Sequence, residues 1–522
     1  MTDSAQQQPR TQANPWIIAI SVMLATFMEV LDTAIVAVAL PYIAGSLSAS
    51  TTEATWVLTS YLIANAVILP ASNWFALRFG RKRFLIVCVL IFTAASFCCG
   101  AAPTLAMILL ARIVQGAGGG ALQPLSQAIL LESFEPSKRG MAMAVFAFGV
   151  VVAPVLGPTL GGWLTDTFSW RYAFYINIPV GILAAFMISR FVEDPSYVRD
   201  AKVGKFDNLG FGLLAIWTGC LQIILDKGQE VDWFGATWLR FAAVGFAVAL
   251  IWFVVHCLHA KAPMVDLHVL RDRNFAVGCL LMVLFGLCVY STITVLPLFY
   301  QELLGYTAFT AGVVVFPRGI GAIVAMPVIG YLGAKLDARY LLTFGFLVFG
   351  ITSLIFGNVN LSVSPTTLLW PIIITGFALS FVFVPITTQS YGTLRNEEIG
   401  NASGIFNLVR NIGGSIGISL AQTLLTRRSD VHQSEITNYV SRTQQWFQQQ
   451  TSGLSTFLGK MTNPANALPG AQAALYRELG QQALLWAFVD VFRWTAILCF
   501  LCMALVWLFR KITHAPGPAA MH

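Results

Sequence analysis

Two carboxylates stand three residues apart in ATFMEVLDTAIVAVALP (25–41), a stretch that is otherwise almost wholly apolar. On a helix this spacing sets Glu29 and Asp32 on one face, with Cβ atoms about 5–6 Å apart. Two acids that close in a poorly solvated site do not both ionise cheaply, so the pair is expected to keep a proton that leaves when a cation takes its place. A third charge, Arg112, falls inside ILLARIVQGAGGGALQPLSQAIL (108–130). An arginine near mid-bilayer costs from about 2.5 to above about 10 kcal/mol unless it finds a partner or a water-filled cavity. Asp32, Glu29 and Arg112 are therefore the expected proton-coupling residues; the plainer reading of Arg112 is a side chain reaching an interface. Glu29 itself, Gln115, Gln123, Asn407, Arg410 and Asp490 are the candidate substrate-binding groups. APVLGPTLGGWL (153–164) concentrates Pro154, Gly157, Pro158, Gly161 and Gly162. Proline bends a helix and glycine lets a neighbour sit against the bend, though the same residues also suit an ordinary kink.

The elements that must hold these groups are membrane helices. The chain has 522 residues, 57% of them hydrophobic and 11% charged, against roughly 25% charged in a soluble domain. Its mean hydropathy is +0.72. A spanning helix needs about 20 mainly apolar residues, and fourteen such segments are readable, from 16–38 to 487–509. The first follows a polar start without a small-residue cleavage site, so it reads as a span rather than a signal peptide. Lys and Arg gather in RFGRKR (78–83) and in 190–207. Cytoplasmic loops carry that excess, which places the N-terminus inside; an even number of spans returns Arg510 and Lys511 to the same side. The net charge of +7 is then a matter of topology, and no nucleic-acid partner is implied. All nine cysteines fall in or at the ends of spans, where they read as packing residues.

The chain also repeats. PASNWFALRFGRKRFL (70–85) aligns with PVIGYLGAKLDARYLL (327–342), and MAMAVFAFGVVVAPVLG (141–157) with NASGIFNLVRNIGGSIG (401–417), at nearly equal offsets. Spans one to six then correspond to spans nine to fourteen, with spans seven and eight an inserted pair. Parallel repeats of this kind build transporters whose two halves rock about a site near the midplane. The expected organisation is a cytoplasmic tail (1–15), an N-terminal six-helix bundle (16–190), an inserted helix pair with flanking cytoplasmic loops (191–274), a C-terminal six-helix bundle (275–509) and a cytoplasmic tail (510–522). The C-terminal bundle would include a long outer loop, 425–485. Within that loop TQQWFQQQTSGLSTFLGKM (443–461) suits a short amphipathic helix.

Several of these stretches together carry a family resemblance. NWFALRFGRKRFL (73–85) resembles the loop motif G-x-L-A-D-R-x-G-R-K of the major facilitator superfamily at Ala76, Arg78, Gly80, Arg81 and Lys82, with Asn73 and Leu77 departing from it. R-x-x-Q-G (112–116) resembles the superfamily's fourth-helix motif, whose arginine is linked to proton coupling. G-P-x-x-G-G (157–162) resembles the fifth-helix antiporter motif of its exporters. With LDTAIVAVALP (31–41), WRYAFYINIPVG (170–181) and LQIILDKGQEVDWF (221–234), the whole chain is similar to the fourteen-helix drug:proton antiporters of the EmrB/QacA type. Ala34 and Ala37 stand where that first-helix pattern has Thr and Asn.

The resemblance implies an all-α integral membrane protein with the major facilitator superfamily fold: fourteen transmembrane helices in two six-helix bundles plus an inserted pair. It implies a proton-coupled multidrug antiporter of the bacterial inner membrane, driven by the proton gradient without a cofactor. Its partners would be small-molecule drugs, protons, lipid, an EmrA-type periplasmic adaptor and an outer-membrane channel; the length of loop 425–485 makes it the expected place for the adaptor to meet. Gly157, Pro158, Gly161, Gly162, Arg78, Gly80 and Arg81 become gating residues. The alternative is a proton-coupled exporter or symporter of one metabolite or siderophore. An enzyme would need a loop constellation that His256, His259 and His268 do not supply. Direct ATP drive would need a Gly-Lys nucleotide loop, and a channel would have less use for embedded charges of both signs.

Overall fold

The computed structural model describes residues 14–511 apart from 136–137, 196–197, 199–203, 262, 334, 440–444 and 462–466. The tails expected at 1–15 and 510–522 lie almost wholly outside the described residues. Among those described there is no strand.

The first half contains α1 (Pro15–Ser46), α2 (Thr51–Phe79), α3 (Arg81–Ala101), α4 (Leu105–Ser133), α5 (Arg139–Thr167) and α6 (Tyr172–Phe191). Then come α7 (Asn208–Lys227) and α8 (Thr237–His259). The second half contains α9 (Arg273–Leu303), α10 (Phe309–Gly333), α11 (Ala338–Phe356), α12 (Pro365–Tyr391), α13 (Asn396–Tyr439), α14 (Gln445–Met461) and α15 (Ala467–Val506).

Twelve of these are long and apolar enough to cross a membrane, and α5, bent by 40° beside Pro154, makes thirteen. The fourteenth is α13. Asn407, Arg410 and Asn411 make it too polar to face lipid, yet Asn407 and Arg410 are buried and α13 is enclosed by α2, α4, α9 and α15. Polar groups are tolerated at membrane depth only where protein or a water-filled cavity surrounds them. Lipid-facing surfaces are apolar, as at Phe241 (71% exposed) in α8 and Trp370 (67%) in α12.

Helix starts follow local chemistry. Asn14 caps α1 with Pro15 in the first turn, where a missing N–H costs nothing, and Ser50 and Glu53 form a reciprocal capping box on α2. Asp207, Asp272 and Asp337 cap α7, α9 and α11. Helices α1–α6 pack mainly on one another, as do α9–α13 with α15. The halves meet where α5 crosses α10 and where α2 and α4 cross α13. Helix α7 touches α2 and α13, whereas α8 leans on α7.

Segment 425–485 holds the helix expected within 443–461, as α14, and is helical well beyond it. Helix α13 runs on to Tyr439, α15 already begins at Ala467, and α14 lies alongside α15. Residues 425–439 contain neither Pro nor Gly, so nothing stops the helix. Its polarity concealed the continuation, because hydrophobic period is the main helix signal. Arg428 Nε and His432 Nε2 meet Asp490 Oδ2 at 2.6 and 2.9 Å, tying α13 to α15.

Candidate functional site

Asp32 and Arg112 form a buried ion pair of 2.6 Å, each with its side chain wholly enclosed. The other oxygen of Asp32 accepts from Gln115 Nε2 at 3.0 Å and from Asn177 Nδ2 at 2.7 Å. Both amides also donate to Ser96 Oγ. Arg112 Nη1 donates to Gln115 Oε1 at 2.8 Å, its Nε donates to Val57 O at 2.9 Å, and its guanidinium lies 4.2 Å from the Tyr61 ring centre. Five helices thus converge on one carboxylate: α1, α2, α3, α4 and α6 of the first half supply every partner, and among the described residues no group of the second half bonds to it. Close helix approach makes this possible. A Cβ at Gly116 would strike the Tyr61 carbonyl, and one at Gly120 the Asn65 carbonyl, so only glycine lets α4 lie this near α2.

Glu29 faces elsewhere. Its Oε1 accepts from Asn65 Nδ2 at 3.1 Å and Tyr61 OH at 3.3 Å, and its Oε2 accepts from Gln123 Nε2 at 2.5 Å. No Lys or Arg lies within ion-pair distance of it among the described residues. The nearest compensation is indirect: Gln123 Oε1 accepts from Arg410 Nη2, so one amide stands between a carboxylate of the first half and a guanidinium of the second.

Glu29 lines a cavity of about 260 Å³ built by both halves and by α7. Ala34, Tyr61 and Asn65 form the first-half wall, Tyr290 and Asn411 the second-half wall, and Gln222 the α7 wall. Ala34 and Ala37, which stand where the first-helix pattern has a Thr and an Asn, present methyl groups to the cavity beside Glu29 and Thr33. Ala34 has a packing role as well, because a Cβ on Gly157 would run into its methyl group. Gly161 lies against Ile35 of α1, while Gly162 and Gly312 bring α5 against α10, where a Cβ on Gly312 would stand 2.9 Å from Thr159 N. The 157–162 motif therefore sits at a three-way contact of α1, α5 and α10.

Towards the face that carries RFGRKR the halves are sealed together. Gln127 Oε1 accepts from Asn407 Nδ2 at 2.7 Å, Ser403 Oγ at 3.1 Å and Tyr391 OH at 3.3 Å, and Ser403 Oγ also donates to Pro124 O at 2.8 Å. Below this, Arg139 Nη2 donates to Asn396 Oδ1 at 3.1 Å. In the basic loop Arg81 pairs with Glu132 at 2.6 Å, Arg78 is exposed, and Gly80 takes φ +87°, a left-handed backbone that favours glycine. Asp194, at the start of the inserted segment, accepts from the Lys82 backbone N–H at 2.7 Å. The cavity is thus closed on the basic face and lies on the opposite side of that seal.

The candidate residues separate into groups. Glu29, Gln123 and Arg410 meet at the cavity; Asp32, Arg112 and Gln115 meet behind it; Asn407 belongs to the seal. Asp490 is remote, held by Arg428 and His432 on the α13–α15 extension. Tyr61, Asn65, Ser96, Asn177 and Gln127 are hydrogen-bond partners of these groups that residue type alone does not single out. Their common signal is a polar side chain within an apolar span.

Residues 22–418 match the family model of the Major Facilitator Superfamily. The chain is 37% identical over 454 residues to the multidrug export protein EmrB of Haemophilus influenzae, covering 84% of this chain and 86% of that one. It is 35% identical over 510 residues to the fatty acid resistance protein FarB of Neisseria gonorrhoeae, covering 96% and 97%. The crystal structure of the human organic anion transporter MFSD10 superposes with a TM-score of 0.57 at 14% identity, covering 94% of this chain and all of that one; at that identity the likeness concerns the fold alone.

Removing one member of a buried ion pair leaves the other uncompensated, at a typical cost of about 3–5 kcal/mol. Arg112→Met is therefore expected to lower the melting temperature of the detergent-solubilised full chain markedly. Asp32→Leu combined with Arg112→Met should regain most of that loss, because both charges leave together. A double variant whose losses simply add would contradict the pairing.

Proposed function

The chain belongs to the major facilitator superfamily and within it to the EmrB group, and from that premise we propose that it exports amphipathic toxic compounds in exchange for protons, by alternating access. It is a transporter rather than an enzyme, and a multi-pass membrane protein. The observation that carries the proposal is the state of Glu29: a carboxylate on the wall of a cavity shared by both halves, with no Lys or Arg within ion-pair distance among the described residues. A carboxylate so placed gains from any positive charge that enters. A proton supplies one and a cationic substrate another, and each displaces the other. That competition is antiport.

Asp32 takes a different part. Its counter-charge and amide donors all come from the first half, so it holds α1, α4 and α6 in register while Glu29 exchanges its partner. Rearrangement of the first half during transport would loosen this knot, which makes Asp32 and Arg112 the elements through which protonation is felt as conformation. The driving force is adequate: one charge moving through 100 mV supplies about 2.3 kcal/mol, and a tenfold proton gradient adds about 1.4. Breadth of substrate fits a cavity walled by methyl groups, aromatic rings and a few amides, since such surfaces accommodate different ligands.

The basic face is assigned to the cytoplasm on the positive-inside bias, and the membrane to a bacterial inner membrane. The α13–α15 extension then projects outward, where it is suited to meet a periplasmic adaptor that leads to an outer-membrane channel. Deleting residues 440–466 should leave transport in proteoliposomes intact while abolishing drug resistance of cells; resistance equal to that of the intact chain would reject the adaptor contact.

The exchange is tested in proteoliposomes holding the purified full chain, with tetraphenylphosphonium as substrate and an imposed pH gradient. Wild type should transport it in an uncoupler-sensitive manner, and Glu29→Gln should lose gradient-driven uptake by at least about tenfold. Asp32→Asn should still bind tetraphenylphosphonium but fail to move it. Gradient-driven transport by Glu29→Gln at the wild-type rate would overturn the proposal.

A further inference from the structure

Arg318 in α10 is 1% exposed, and none of its three guanidinium nitrogens has a hydrogen-bond partner among the described residues. A buried guanidinium offers five donors in a fixed plane and is costly to bury unless something accepts from them. The backbone there has little freedom to carry the charge away. Helices α10 and α12 touch through glycines, so that a Cβ at Gly376 would strike the Arg318 carbonyl and one at Gly321 the Ile373 carbonyl.

Arg318 lines a cavity of about 30 Å³ together with Arg410, whose Nε is likewise buried and unpartnered among the described residues. The other walls, among them Val150, Phe285, Val289, Leu379 and Phe383, are apolar, and no acid lines the cavity. Its volume has room for about two water-sized groups. Two cations and no anion around such a space match the two oxygens of a carboxylate, which planar guanidinium groups recognise in paired hydrogen bonds.

This small cavity adjoins the large one. Pro154, Tyr290 and Ile293 line both, so a head held at the arginines would have its tail beside Tyr290 and Ile293 in the 260 Å³ space. We propose that Arg318 and Arg410 form an anion subsite for the carboxylate head of an amphipathic acid whose apolar tail occupies the central cavity. The proposal rests on that cavity being the substrate cavity. It also gives the two ends of the cavity opposite preferences, cations at Glu29 and carboxylates at Arg318. Because Gln123 bridges Arg410 and Glu29, a carboxylate that draws Arg410 away from Gln123 is felt at Glu29 through a single amide.

Equilibrium binding of radiolabelled dodecanoate and dodecyltrimethylammonium to the purified full chain in nanodiscs tests this. The two ligands share a tail and differ in the sign of the head. Arg318→Met should weaken dodecanoate by about tenfold or more, the scale of lost charge-assisted hydrogen bonds, while dodecyltrimethylammonium stays within about twofold; Arg318→Lys should fall between. Dodecanoate should raise the melting temperature of wild type and not of Arg318→Met. The ligand-free Met variant should melt no lower than wild type, since an uncompensated buried charge has been removed. Unchanged dodecanoate affinity, equal weakening of both ligands, or a marked fall in the melting temperature of the ligand-free variant would each overturn the subsite. Wild type that binds the cation but shows dodecanoate binding independent of Arg318 rejects the subsite alone. Wild type that binds neither ligand rejects the central cavity as substrate site and the subsite with it.

Discussion

A charge at membrane depth must be compensated, and the interior of this protein is organised by how completely each charge is met. Asp32 and Arg112 compensate each other directly, inside one half, with two amides donating to the second carboxylate oxygen. Glu29 is met only through Gln123, which reaches Arg410 in the other half. Arg318 is met by no protein group among those described. This gradation runs from the first half, through the interface, to the second. Full compensation fixes a helix arrangement, whereas partial compensation leaves a site whose charge balance a proton or a ligand can complete.

Packing serves the same end. Glycines at 116 and 120 bring α4 against the backbone of α2, so that Arg112 reaches both Asp32 and the Val57 carbonyl. The Gly-Pro segment of α5 does the equivalent against α1 and α10, with Ala34 small enough to receive it. On the basic face Gln127 gathers three donors from α12 and α13 onto one oxygen. That polar seal is made of neutral groups with modest individual strength, about 0.5–1.5 kcal/mol each, and can be exchanged for another set when the halves rock. The inserted α7 is part of the wall rather than a spacer: Gln222 lines the cavity and bonds Ser415, while Asp226 and Lys227 bond Thr59 and Thr55 of α2.

Composition and periodicity sufficed for the membrane class, and the quoted motifs for the superfamily. The unusual acids and Arg112 were legible as well, because charge within an apolar run has few innocent explanations. What spacing could not convey was their separation. Residues three apart on a helix share a face yet point about 60° apart, at 100° per residue. Spacing alone thus makes Glu29 and Asp32 one shared site, and partners on α4 and α6 that no local pattern reveals draw them into two. Asp490 misled for the opposite reason. It stands at the start of the last apolar span and is a candidate binding group by residue type, whereas its counter-charges come from a polar continuation of α13 that has no hydrophobic period to announce it. Gln123 and Gln127 stand one helical turn apart, and only the fold assigns one to the cavity and the other to the seal.

The exchange of a proton for substrate at Glu29 is observed most directly by infrared difference spectroscopy of the full chain in lipid at neutral pH, before and after tetraphenylphosphonium is added. The prediction is that binding removes a carboxylic-acid carbonyl band, that Glu29→Gln shows no such change, and that Asp32→Asn retains it. A wild-type spectrum without loss of that band on binding, or the same loss in Glu29→Gln, would contradict it.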